Sequence, residues 1–75
     1  MVKIYTTPTC VYCNALKEYL TQKNIPFTTV DVSENQQELE KMVAISSQMG
    51  VPVVEIDNNV VIGFDKEKID ELLHL

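Results

Sequence analysis

The tightest constraint on this chain is how little sequence separates its first two strand-like runs. Residues 2–6 (VKIYT) follow a two-residue period and are β-branched and aromatic, which is strand patterning. Thr7, Pro8 and Thr9 break the run. From there Tyr12, Ala15, Leu16, Tyr19 and Leu20 recur at i, i+3, i+4, i+7 and i+8, one face of an α-helix, and Asn24 and Pro26 end it. Residues 27–32 (FTTVDV) return to strand patterning. A strand, a helix and a strand joined this closely are expected to form two parallel strands with a right-handed crossover. The expected fold class is therefore α/β.

The remaining punctuation extends the pattern. Ser33, followed three residues later by Gln36, has the spacing of a capping box and opens a second helix, with Leu39, Met42 and Val43 as its buried face and Gly50 as its stop. Residues 53–56 and 60–62 are short apolar runs joined by Asp57, Asn58 and Asn59, which predicts an antiparallel hairpin. After Gly63 and Phe64, Asp65 is the natural N-cap of a last helix that turns Ile69, Leu72 and Leu73 inward. The predicted order is βαβαββα. The last two strands are almost wholly apolar, which calls for helices on both faces of a four-stranded mixed sheet.

At 75 residues the chain is expected to be a single domain spanning 1–75. Its 45% apolar and 23% charged residues exclude a disordered, collagenous or membrane class. A core of this size supplies about 3 to 5 kcal/mol, yet the sequence offers neither a wide disulfide nor a structural metal set to reinforce it. The net charge of −5 opposes a phosphate backbone, so no nucleic-acid partner is expected. The start, MVKIYTT, lacks the apolar stretch of a secretory signal, and nothing approaches the roughly 20 apolar residues of a membrane span. A cytoplasmic location with no membrane partner is the expectation, and in that reducing compartment two cysteines need a reason.

Those cysteines, Cys10 and Cys13, fall where the first strand gives way to the first helix. Residues three apart share a helix face with Cα atoms about 5 Å apart, within the reach of a disulfide. As a staple the pair would be poor, since so short a loop removes little entropy from the unfolded chain. A helix start, by contrast, offers free N–H groups and a positive dipole end that favour a thiolate at Cys10. If the Cys10 pKa falls from about 8.5 to about 6, its thiolate fraction at pH 7 rises roughly 30-fold, while lost nucleophilicity takes back roughly 13-fold. Attack gains about twofold. Cys10 is therefore the expected nucleophile, and Cys13, in line with Leu16 and Leu20, the shielded resolving thiol.

Other uses of the pair carry less weight. Structural zinc takes four N or S ligands, and beyond the cysteines the chain offers only His74 near its end. A Cu(I) carrier would place the pair in a βαββαβ order that this sequence does not follow. Inert core cysteines would not need the strand-to-helix junction. No metal site is expected. Met42 and Met49 read as core filling, residues 65–71 as a solvated charged face, and His74 as a complement to the last helix's dipole.

The pattern T-P-T-C-V-Y-C, with the later V-P and G-F-D segments, resembles the glutaredoxins and the related NrdH-redoxins of the thioredoxin-like fold, over essentially the whole chain. The resemblance implies a cis Pro52 facing the cysteines, with the Val51 backbone offered to an incoming disulfide as an added strand. It implies that Tyr12 walls the groove, and that Gly63, Phe64 and Asp65 lie where glutaredoxins hold the γ-glutamyl end of glutathione. It implies a dithiol–disulfide oxidoreductase of protein or glutathione mixed disulfides, monomeric and without a bound cofactor. Glutathione, or a thioredoxin-reductase-type enzyme, would supply electrons.

This sequence also departs from the glutaredoxin pattern. Val11 replaces the proline of C-P-Y-C, Thr7 stands where a Lys or Arg is usual, and Met49 and Gly50 replace a basic residue and a threonine. The P-V-V and G-F pieces are similar to NrdH-redoxins, electron donors to ribonucleotide reductase, although those carry C-V-Q-C or similar. A glutaredoxin-type iron–sulfur cluster protein, two chains sharing a cluster through Cys10, is the alternative from another class.

Overall fold

The computed structural model describes residues 2–75. Its elements are β1 (Val2–Thr6), α1 (Val11–Gln22), β2 (Thr28–Asp31), α2 (Gln36–Ser46), β3 (Val53–Ile56), β4 (Asn59–Ile62) and α3 (Lys66–Leu73), the predicted βαβαββα order. The strands form one mixed sheet in the order β2-β1-β3-β4. β1 runs parallel to β2, with Ile4 opposite Thr29, and antiparallel to β3, with Ile4 opposite Val54. The β3–β4 hairpin pairs Val54 with Val61.

Strand alternation divides the core into two layers. Val2, Ile4, Val54, Ile56 and Val61 meet Leu16 and Leu20 of α1 and Ile69 of α3. On the other face Tyr5, Val53 and Val32 meet Met42 of α2. Both faces of the sheet are thus covered. Lys3, on the α2 face, pairs with Glu38 at 2.9 Å and lies 4.8 Å from the Tyr5 ring centroid. That ion pair holds the Glu38 carboxyl below its ordinary range and raises Lys3.

Helix ends correct several expectations. The inward face of α1 is Cys13, Leu16 and Leu20, whereas Tyr12 and Ala15 are exposed. The helix starts at Val11, and the sheet takes the stripe that runs through Cys13. Asn24 ends it as expected, at φ 59°, with Ile25 N–H on the Leu20 carbonyl and Asn24 N–H on that of Thr21, a Schellman closure. The N-cap of α2 is Asn35, whose side chain accepts from Glu38 N–H, and not Ser33, whose hydroxyl is taken by Asp31 in the preceding turn. The same helix stops at Ser47, left-handed at φ 61°, before Gly50 is reached. Met42 is core, but Met49, beyond that stop, is 68% exposed. Asn59 belongs to β4, so the hairpin turn is Asp57–Asn58, with Asp57 at φ 54°.

Candidate active site

Register brings the site together from three distant stretches. Tyr5 lies opposite Val53, and Val53 opposite Ile62. The residues that follow β1, precede β3 and follow β4 therefore leave the same end of the sheet. These are the Cys10 loop, Val51–Pro52, and Gly63, Phe64 and Asp65. The Gly63 N–H donates to the Pro52 carbonyl at 2.9 Å, joining two of them directly. Gly63 has φ 77°, a conformation that L side chains rarely adopt. The Val51–Pro52 peptide bond is cis.

The third stretch carries the sulfurs. Cys10 is the N-cap of α1, extended at φ −83° and ψ 112°, and its Sγ accepts from the Cys13 N–H at 3.1 Å. An amide that would otherwise be an orphan donor of the first turn is thereby spent on sulfur, the arrangement that favours negative charge there. The cysteines are at disulfide distance, with Cα atoms 5.2 Å apart. Cys10 is half-buried and Cys13 fully buried, the asymmetry expected from the helical stripe.

Around the sulfurs the surface is apolar. Val11 is 75% and Tyr12 69% exposed beside Cys10, while Val51 is half-buried and Pro52 buried. Residues 7–16, 42–54 and 58–64 contain no charged side chain. Asp65, which follows the last of them, caps α3 by accepting from Lys68 N–H at 3.2 Å. Among the described residues no group of three or more His, Cys, Asp or Glu is placed to hold a metal ion.

One cluster escaped the sequence reading. The Tyr19 hydroxyl of α1 donates to the Asp70 carboxylate of α3, which also takes the Lys66 ammonium at 3.0 Å. The Phe64 ring packs on Tyr19 with centroids 5.7 Å apart. The Tyr19 hydroxyl and then Lys66 hold the Asp70 carboxyl below its ordinary range, and Asp70 in turn raises both Tyr19 and Lys66. The Lys66–Asp70 spacing of four was readable as a helical pair. Nothing in the sequence linked it to Tyr19, 51 residues away.

The sequence profile of the Glutaredoxin family matches residues 2–61. The chain belongs to the glutaredoxin family. A glutaredoxin-like 8.6 kDa protein of the rubredoxin operon of Clostridium pasteurianum is 51% identical over 73 residues, covering 97% of each chain. Among solved structures, the chain is similar to the glutaredoxin of Archaeoglobus fulgidus, with a TM-score of 0.88 and 29% identity over 99% of this chain and 86% of the other. It is also similar to the NrdH-redoxin of Escherichia coli, a glutaredoxin-like protein with a thioredoxin-like activity profile, at TM-score 0.85 and 27% identity over 95% and 92%. The fold is accordingly thioredoxin-like, and thiol–disulfide redox chemistry is the activity the family shares. No helix is long and apolar enough to cross a membrane among the described residues.

Proposed function

We propose that the protein is a dithiol–disulfide oxidoreductase that carries electrons to disulfides of protein substrates. The observation that supports this most is the Cys10 sulfur at the head of α1, receiving an amide hydrogen bond. In the first step the Cys10 thiolate attacks one sulfur of a substrate disulfide, forming a mixed disulfide and expelling the other sulfur as a thiolate that takes a proton from water. Cys13 then loses its proton and attacks Cys10 Sγ, closing the Cys10–Cys13 disulfide and releasing the second substrate thiol. Two electrons pass to the substrate, and an external dithiol resets the pair. Cys13 needs no approach path from outside, because its target is already within its own helical turn.

The electron source we favour is a thioredoxin-reductase-type enzyme, as for an NrdH-like donor. Glutathione carries two carboxylates, and Thr7, Met49 and Gly50, uncharged where glutaredoxins often carry basic residues or a threonine, offer them no cation. Exposed Tyr12 and half-buried Val51 and Phe64 instead present an apolar surface suited to a polypeptide.

NADPH consumption by the oxidised protein tests this reading, with thioredoxin reductase alone against glutathione plus glutathione reductase. Turnover with thioredoxin reductase is expected. Turnover only with glutathione would restore Gly63, Phe64 and Asp65 as a glutathione subsite, and a brown sample absorbing beyond 400 nm would point to a cluster-binding protein. Cys10→Ser should abolish reduction, whereas Cys13→Ser should still attack and accumulate the mixed disulfide, visible by mass spectrometry.

A further inference from the structure

The Tyr19–Asp70–Lys66 cluster lies outside the cysteine pair, yet it touches the turn beside it. Three contacts fix the turn at Gly63, Phe64 and Asp65. Gly63 bonds to the Pro52 carbonyl, Asp65 caps α3, and Phe64 packs at a tilt on the Tyr19 ring. The third contact ties the turn to α1, the helix whose first turn holds both sulfurs. Tyr19 lies about 9 Å along that helix from Cys13, at 1.5 Å per residue.

The Tyr19 ring is itself held. Its hydroxyl donates to a carboxylate, a charge-assisted bond, and Lys66 and Lys23 place ammonium groups 5.3 and 5.9 Å from its centroid. Ion pairs this exposed add little to stability. Their effect is geometric: with the hydroxyl bound, the tip of the ring is pinned to α3, and Phe64, packed on that ring, stands at one offset from the helix of Cys10.

We propose that Tyr19 and Asp70 are positioning residues that set the distance between the Gly63–Phe64–Asp65 turn and Cys10, and so govern the reaction with polypeptide disulfides. This rests on the oxidoreductase reading above. A substrate large enough to lie against the turn responds to that distance, because small misplacements of a bound reactant lower the rate steeply. A disulfide too small to reach the turn does not.

The test uses pre-reduced protein and two probes, the interchain disulfides of insulin and 2-hydroxyethyl disulfide, with second-order rate constants measured for each. Tyr19→Phe keeps the ring and loses the hydroxyl, and Asp70→Asn keeps the shape and loses the charge. Each is expected to slow insulin reduction roughly 3- to 10-fold while changing the small probe by less than about twofold, and Asp70→Glu should recover part of the loss. The ultraviolet titration of the Cys10 thiolate should be unmoved. An unchanged ratio of the two rate constants, or an equal fall in both, overturns the proposal. Wild-type protein that reduces neither probe would instead overturn the oxidoreductase reading, and the positioning role would fall with it.

Discussion

Leu16 shows what the α1 stripe does at the level of one side chain. It is fully buried one turn below Cys13, and the two residues share the face that meets the sheet. Leu16→Ala should cost about 2 to 5 kcal/mol, since the removed atoms leave a cavity that neighbours fill only in part. Tyr12→Ala should leave urea stability within about 0.5 kcal/mol, because a side chain this exposed has little packing to lose. Urea midpoints of both variants check the pair of expectations. The sequence periodicity admitted two stripes, one through Tyr12 and Ala15 and one through Cys13, both sharing Leu16 and Leu20. Periodicity alone does not choose between them, because a tyrosine counts as apolar whether it faces the core or a partner. The Tyr12 side chain that looked like packing is part of the exposed surface beside Cys10.

At the scale of elements, caps decide where α2 begins. Asn35→Ala should destabilise by about 1 kcal/mol through loss of the Glu38 N–H bond, and Ser33→Ala by clearly less, a difference readable in thermal melts. The element order, the parallel first pair and the hairpin were legible because each rests on a local pattern of period and punctuation. The start of α2 was misread because the stretch 33–36 offers two competent caps, and the choice fell to Asp31, which engages the Ser33 hydroxyl first. Its end was misread for a similar reason: Ser47 takes a left-handed conformation for which Gly50 was the more obvious residue. For the site, the reach of the cysteine pair was legible from its spacing, whereas the cis Val51–Pro52 bond was implied only by the family resemblance. The Tyr19 link between α1 and α3 was not legible, because a tertiary contact between exposed polar residues leaves no periodic trace.

For the whole molecule, the titrating groups of two exposed ion-pair clusters give stability a small pH-dependent component. Glu38 and Asp70 have lowered pKa values in the folded state, so their contribution is present above about pH 4, the unfolded value, and is lost as pH falls through the folded values. Lys3, Lys66 and Tyr19 are raised, so theirs is present below about pH 10 and is lost as pH rises through the folded values. Melting temperature should be flat between about pH 5 and 9 and fall on both sides. Glu38→Gln with Asp70→Asn should make the acid limb shallower, and an unchanged limb would show that other carboxylates carry it.

The cysteine pair closes within one helical turn, on Cα atoms already 5.2 Å apart. A ring so local needs no movement of either core layer or of any strand to open or close. On the proposed function, the molecule would carry electrons without broadcasting that it holds them. Any partner that tells the loaded carrier from the spent one has to read that turn itself, where Val11 and Tyr12 stand exposed beside the sulfur, and recognition and exchange become a single event at a single address.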